Sequence, residues 1–307
     1  MQVSFVVPLF NCLPLTQAMV ASLRTTLPAG LTHEIILVDD GSTDGTREWI
    51  AALSEPFRCV LNPHNLGYAG ANNRGAALAR GEYLFLLNND LVLTPGWIEP
   101  MLAAIRRLGP RAGLVGNVQV DEATGAVDHA GIVINHKGKP EHLRRSPWLA
   151  RLFRPVRHAP LLTGACFALR RELWLSLGGF DEGFVNGCED IDLCLRSATT
   201  GHQNAVARWS RVRHHISPAP GRKARDEANT YRLTRKWRDA LVELGRPAWC
   251  RHHFETYLPE PRDFPDPQLA RQIFWYLLGL RRRPPAGSKL GMELAIATEM
   301  ERWAKIV

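Results

Sequence analysis

Tyr83-Leu84-Phe85-Leu86-Leu87-Asn88-Asn89-Asp90 is the stretch on which the fold turns: five apolar or aromatic residues run unbroken into a polar cluster that ends in a carboxylate. A continuous apolar run of this length, preceded by Gly81 and followed by Thr94-Pro95-Gly96, predicts a central parallel strand covered on both faces. In open α/β sheets the ligand site lies just outside the carboxyl ends of such strands, where Asn88, Asn89 and Asp90 fall. The competing reading is a plain turn, since Asn and Asp are common there.

Upstream, Val3 to Val7 reads as a first strand and Thr16 to Thr26 as a helix with Met19, Val20 and Leu23 at helical spacing. Ile35-Ile36-Leu37-Val38 repeats the buried-strand pattern and also ends in acids, Asp39-Asp40, followed by Gly41-Ser42-Thr43-Asp44-Gly45-Thr46. A helix is expected from Arg47 to Leu53, with Asp44 or Thr46 as its N-cap. Cys59-Val60-Leu61 is a third strand, and the run from Asn65 to Gly75 leads into a helix of small residues. Strand alternating with helix over the first hundred residues predicts a parallel sheet with right-handed crossovers.

Beyond residue 110 the rhythm changes. Gly113 to Val120 and Val127 to Asn135 read as strands joined by a turn at Glu122-Ala123-Thr124-Gly125. Lys137 to Pro160 is basic and carries four prolines, so a long mobile loop is expected there. Leu161 to Leu169 is expected as one strand, and Gly187 to Arg196 opens a helix on Glu189, Asp190 and Asp192. The organisation predicted is an α/β domain over residues 1–220 and a helical, basic extension over 221–307.

Net charge is +8, concentrated in Lys137 to Arg157 and Arg208 to Arg238. Such patches suit anionic partners, and a solvated basic face explains them equally well. With no recognition motif and little aromatic interleaving, nucleic-acid binding is not expected. The six cysteines show no Cys-x-x-Cys or zinc-ribbon spacing, which argues for reduced thiols rather than a disulfide scaffold or structural zinc. The N-terminus lacks a basic n-region and reads as a strand, not a signal peptide. The apolar segment Ile273 to Leu280 falls far short of the roughly 20 residues a bilayer span needs.

Two strand ends carrying acids would set Asp39/Asp40 and Asp90 on one sheet edge, one for base and ribose and the other for a divalent cation. Capping or turn roles explain Asp39 and Asp40 taken alone. Gly67 to Gly75 does not have the dinucleotide-loop spacing, but offers close backbone plus Asn65, Asn72 and Asn73 as hydrogen-bonding groups. Glu189 and Asp190 precede the helical pattern in a Gly-flanked loop, where a carboxylate can take a proton from an attacking hydroxyl; helix-start acids favoured by the macrodipole are the alternative. Asp192 and Arg196 read as an i,i+4 pair. His214 and His215 end an apolar-alternating segment beside a basic cluster and could meet a metal or diphosphate.

Together these motifs resemble the family 2 inverting glycosyltransferases with the GT-A fold, over roughly residues 2 to 216. The resemblance is carried by Val38-Asp39-Asp40-Gly41-Ser42 through Thr46, Asn65-Leu66-Gly67 with Asn72-Asn73-Arg74-Gly75, Leu87-Asn88-Asn89-Asp90, Thr163-Gly164-Ala165, Gly178 to Glu182, and Glu189-Asp190 with Leu193 and Arg196. It implies a mostly parallel Rossmann-like sheet flanked by helices and transfer from a nucleotide-sugar donor to a saccharide or lipid-linked saccharide acceptor. Pro8, Asp39, Asp40, Asn65, Gly67, Asn72, Asn73, Asn88 and Asn89 would bind the nucleotide, and Thr163 and Gly164 would form a loop toward acceptor or donor. Asp90 and His214 would meet a Mg or Mn ion, with His215 as the fallback, and Asp190, with Glu189 beside it, would act in catalysis.

Asn88 stands where many relatives carry Asp. That form resembles the rhamnosyltransferase-like branch of bacterial surface-polysaccharide assembly and favours a dTDP-deoxysugar over a UDP-hexose. The implied setting is the cytoplasm, with peripheral association at the inner face of the cytoplasmic membrane; Phe274-Trp275-Tyr276-Leu277-Leu278 beside Arg281-Arg282-Arg283 has interfacial character. The competing classes are a glycoside hydrolase using Asp90 and Asp190, and an inactive nucleotide-sugar-binding or scaffold protein.

Overall fold

In the computed structural model the residues described are 1–144, 154–215, 225–260, 262 and 264–306. The chain divides into one unit of Met1–Ile132 with His142–Arg225 and another of Val133–Glu141 with Asp226–Val307. The boundary expected at 220/221 lies outside the described residues, as do positions 145–153 of the expected mobile loop.

The first unit is built on a mixed sheet. Its parallel half is β3 (Phe57–Leu61), β2 (His33–Asp39), β1 (Val3–Leu9) and β4 (Tyr83–Leu87), in that spatial order. β4 is buried at every residue, as an unbroken apolar run covered on both faces requires. The β1–β2 ladder continues to Leu9↔Asp39, whereas the β1–β4 ladder stops at Val6↔Leu86. Pro8 therefore sits where no ladder hydrogen bond is asked of it on the β4 side, the setting a strand proline needs. Phe5, Phe85 and Trp97 pack together in the core, with centroid separations of 5.4 to 6.2 Å.

The sheet continues from β4 through antiparallel β11 (Cys166–Arg170) to β6 (Ala112–Asp121), β12 (Gln203–His214) and β10 (Val156–His158). β5 (Leu91–Leu93) pairs with β12, and β7 (Val127–His129) folds back antiparallel on β6 through the expected turn. Four expectations need correction. The strand expected over Val127 to Asn135 breaks after His129, and Ile132–Ile134 pairs instead with Pro140–His142 in a separate two-stranded sheet. The helix expected from Arg47 starts at Thr46 after Gly45, so neither Asp44 nor Thr46 is its N-cap. Residues 161–165 are not part of a strand that runs on to Leu169: β11 begins only at Cys166, because Gly164 is drawn out of the ladder by side chains of other elements. The basic region after Lys137 contains short strands at both ends, β9 (Pro140–His142) and β10.

Helices α1 (Leu13–Thr26), α2 (Thr46–Ala51), α3 (Gly67–Ala77) and α4 (Ile98–Leu108) cover this sheet. α3 needs its small residues: a Cβ on Gly75 would lie 2.5 Å from Val6 Cγ1 and 2.8 Å from Val38 Cγ2. Farther on, α5 (Arg171–Leu177) and α6 (Glu189–Thr199) complete the unit.

In the second unit α7 (Asp226–Tyr257) is kinked at Trp237 and followed by α8 (Pro267–Leu277) and α9 (Gly287–Trp303). Residues 133–141, lying in β8 (Ile132–Ile134), the following turn and β9, belong here too. Lys139 from this segment and Arg302 both pair with Glu227, at 3.3 and 2.8 Å, and Trp303 Nε1 also donates to Glu227. Among the described residues no helix is long and apolar enough to cross a membrane.

Candidate functional site

A cavity of about 440 Å³ opens at the carboxyl edge of β1, β2 and β4. Of the residues singled out from sequence, Pro8, Asp40, Asn65, Gly67, Asn88, Asn89, Thr163, Gly164, Glu189 and Asp190 line it; Tyr68 and Asn186 join them. Residues 40 and 88 are brought to one concavity because the parallel strands β2 and β4 end together on that side of the sheet, and Asp190 joins them from the start of α6, bonded to the Gly164 amide.

One wall is the loop after β2. Asp39 is fully buried, its carboxylate 3.3 Å from the amides of Gly41 and Ser42 and 3.6 Å from Arg47 Nε. Asp40 is 3% exposed and accepts from Asn62 Nδ2 at 2.8 Å and from the amides of Leu66 and Gly67 at 2.9 Å each. Its carboxylate thus ties β2 to the start of α3, whose N-cap residue Leu66 has no side-chain cap of its own. Asn65 Oδ1 adds a second acceptor to the Gly67 amide. Asn72 and Asn73 do not line the cavity. Asn72 is buried and donates to Tyr68 O, while Asn73 clamps the 180–182 loop by bonding Phe180 N, Phe180 O and Glu182 Oε1.

The opposite wall holds Asp190. Its Oδ2 accepts from the Gly164 amide at 2.6 Å and its Oδ1 from the Ile191 amide at 2.8 Å. Burial raises its pKa, opposed by those two amide bonds and by the charge of His142. Gly164 is held from its other side, because Tyr68 Oη donates to Gly164 O at 2.6 Å. Burial, with Glu189 and Asp190 nearby, keeps the Tyr68 hydroxyl protonated far above its usual range. Glu189, buried at the first position of α6, accepts from the Gly187 amide at 2.6 Å. Asp192 forms the expected pair with Arg196 at 2.8 Å; Arg196 also donates to Leu177 O and Gly179 O, fixing the end of α5.

The floor is the segment after β4. Asn88 donates its amide to Ala165 O, and Asn89 Nδ2 donates to Thr16 Oγ1. Neither Asp90 nor His214 lines the cavity: Asp90 turns toward β12, where its Oδ1 lies 3.2 Å from His214 Nε2. His215, the fallback, contributes its backbone amide to Asp90 O. Among the described residues, nothing meets Asn88 Oδ1, Asp90 Oδ1 or either ring nitrogen of His214 with hydrogen-bond geometry, although all are buried. Buried polar atoms of this kind call for a partner, and a carboxylate, an amide oxygen and an imidazole form a donor set that a hard to borderline cation accepts. No group of three or more His, Cys, Asp or Glu among the described residues could hold a metal by itself.

Sequence reasoning missed Tyr68, Asn186, Asp128 and His142. Asp128 Oδ2 lies 4.0 Å from His214 Nδ1 and 3.7 Å from His142 Nδ1, so a carboxylate stands between the His214 side of the site and the histidine whose charge reaches Asp190. Only the Asp128-His129 dipeptide at the end of β7 could have drawn attention in sequence. Neighbouring His129 is buried, and burial holds its pKa well below the ordinary value, so it is neutral.

Comparison with known proteins accords with this geometry. Residues 4–176 match the family described as Glycosyl transferase family 2. The O-antigen biosynthesis protein RfbC of Myxococcus xanthus is 32% identical over 268 residues, 82% of this chain and 20% of that protein. An N-acetylglucosaminyl-diphospho-decaprenol L-rhamnosyltransferase of Mycobacterium tuberculosis is 29% identical over 216 residues, 61% of this chain and 68% of that one. The chain spans less than half the length of several curated relatives that it matches. GalNAc-T7, solved with UDP, GalNAc and Mn2+, superposes with a TM-score of 0.64 at 19% identity over 90% of this chain and 56% of its own, a likeness of fold. The chain belongs to glycosyl transferase family 2, and its sheet and flanking helices are those of the GT-A fold.

Proposed function

We propose that this chain transfers a sugar from a nucleoside-diphosphate sugar, dTDP- or UDP-linked, to an acceptor hydroxyl with inversion at the anomeric carbon. The observation that carries the reading is Asp190: a carboxylate at the cavity wall, anchored by two main-chain amides, with its pKa raised by burial. A base of raised pKa is a stronger proton acceptor, and positioned bases contribute about 10²–10⁴-fold. Asp190 removes the acceptor hydroxyl proton, the acceptor oxygen forms a bond to the anomeric carbon, and the bond to the diphosphate oxygen breaks.

The nucleotide lies against Pro8, the Asp40-organised loop with Asn65 and Gly67, and the Asn88-Asn89 floor; Thr163 and Gly164 face donor and acceptor. Asp39, Asn72 and Asn73 support that wall from behind. Asp90 and His214, with Asn88 Oδ1, are the residues that would hold a Mg or Mn ion, which would supply positive charge beside the donor's diphosphate. Such a cation neutralises charge on the departing diphosphate. Manganese in the GalNAc-T7 complex and the diphospho-decaprenol substrate in the name of the mycobacterial relative support these two parts of the reading. The acceptor is a lipid-linked saccharide in surface-polysaccharide assembly, met at the inner face of the cytoplasmic membrane.

The test is a thermal-shift screen of UDP, dTDP and GDP and their sugars, with and without manganese, followed by transfer assays of Asp190→Asn with the donor that stabilises most. Unchanged donor stabilisation with turnover lowered at least 100-fold is expected on the general-base scale. Turnover retained in Asp190→Asn refutes the assignment.

A further inference from the structure

The second unit carries a surface none of whose residues lines the cavity. Asp266 caps α8 by accepting from the amides of Gln268 and Leu269, so the helix starts at a defined residue and its faces are fixed. Ala270 and Ile273 point inward, at 8% and 0% exposure. Arg271, Phe274, Trp275 and Leu278 stand at i, i+3, i+4 and i+7, which is one face of a helix, and all four are exposed.

The chain then reverses at Gly279, whose φ of +78° suits glycine, and the amides of Leu280 and Arg281 return to Trp275 O. This turn sets Leu280, at 72% exposure, and the exposed Arg281, Arg282 and Arg283 beside the apolar stripe. From Pro267 to Met292 the sequence holds four arginines and no acid; its one lysine, Lys289, pairs with Glu293 at 4.0 Å. An aromatic and aliphatic stripe bordered by four arginines complements an anionic lipid surface: the exposed Trp275 ring and leucines enter the headgroup boundary while the guanidinium groups meet phosphates.

We infer that the outward face of α8 and the turn after it, centred on Trp275, Leu278, Leu280 and Arg281–Arg283, is a docking surface for anionic phospholipid bilayers. A second copy of the chain fits less well, since pairing this face with itself would oppose its arginines. The surface requires no nucleotide or acceptor, so it stands or falls separately from the transfer reaction.

The experiment is flotation of the purified chain with vesicles of phosphatidylcholine alone or with one quarter phosphatidylglycerol, at low and high salt and without donor. Binding to the anionic vesicles only, reversed by salt, is expected. Arg281→Gln/Arg282→Gln/Arg283→Gln should lower partitioning by about 100-fold, since each juxtamembrane cation contributes about fivefold. Trp275→Ser/Leu278→Ser should lower it at least tenfold, with the circular dichroism spectrum unchanged and only a small drop in melting temperature, since both side chains are about half exposed. Absence of anionic-vesicle binding, equal binding to neutral vesicles, or indifference to either set of substitutions overturns the inference. A concentration-dependent dimer that Trp275→Ser/Leu278→Ser dissolves would overturn it in favour of a second copy. Transfer to a soluble acceptor by the same variants reads the catalytic proposal independently.

Discussion

Replacing Asp40 separates two roles for one carboxylate: contact with the nucleotide, and clamp of the wall that receives it. The structure gives the clamp a magnitude. Asp40→Ala removes the acceptor of three donors, Asn62 Nδ2, Leu66 N and Gly67 N. Asn62 is fully buried, so its amide loses a partner that water cannot replace, at about 1–3 kcal/mol. Leu66 and Gly67 are half-buried, and Gly67 keeps the bond to Asn65 Oδ1, so about 1 kcal/mol for the pair is reasonable. Asp40→Ala should therefore lose roughly 2–4 kcal/mol in urea unfolding followed by intrinsic fluorescence, and Asp40→Asn, which keeps one acceptor oxygen, less. Nucleotide affinity, measured by calorimetry where both variants are folded, should fall in parallel with stability. A stability loss below about 0.5 kcal/mol, within the range of an ordinary surface change, together with abolished nucleotide binding would refute the clamp and make Asp40 a direct ligand contact.

Two more outcomes follow from the same cavity. Because burial raises the Asp190 pKa, the acid limb of the rate profile should lie above that of a solvent-exposed aspartate; Tyr68→Phe, which frees Gly164 and weakens its amide bond to Asp190, should move that limb upward by less than about one pH unit, with donor KM nearly unchanged. An unmoved limb would remove Tyr68 from the positioning of the base. The raised pKa also means that the protonated carboxyl is the form the fold favours, so the stability Asp190 contributes is present below its unfolded pKa and is lost as pH rises through its folded one. In the core, Gly75→Ala drives a methyl against Val6 and Val38 and should cost about 1–3 kcal/mol in urea unfolding; a neutral result would show that α3 can retreat from β1 and β2.

The parts of the molecule visible in sequence are those whose physics is local. The apolar runs of β1, β2 and β4 announce buried parallel strands, and the acids at their ends announce the edge where a site forms. The acid-rich opening of α6 was legible for the same reason. What stayed hidden depends on partners far along the chain. Gly164 looks like a strand residue until Tyr68 and Asp190 claim its carbonyl and amide, across 96 and 26 residues. Asn73 looks like a ligand group until its amide is seen bound to Phe180, 107 residues away. Asp128 and His142 have no periodicity or spacing that marks them, and residues 133–141 resemble any basic hairpin, with nothing local to assign them to the helices of the second unit.

The way Asp190 is held bears on how this site can change over generations. Both of its oxygens rest on main-chain amides, those of Gly164 and Ile191, and every residue except proline offers such a donor. Substitutions at Thr163 can therefore reshape the cavity without deleting the two amides that hold Asp190. The exception is Gly164, where a Cβ would stand 3.0 Å from the Tyr68 hydroxyl. The position of the Asp190 carboxylate and the shape of the cavity are thus inherited through different parts of the polypeptide, one through its backbone and the other through its side chains, and the second can drift while the first is kept.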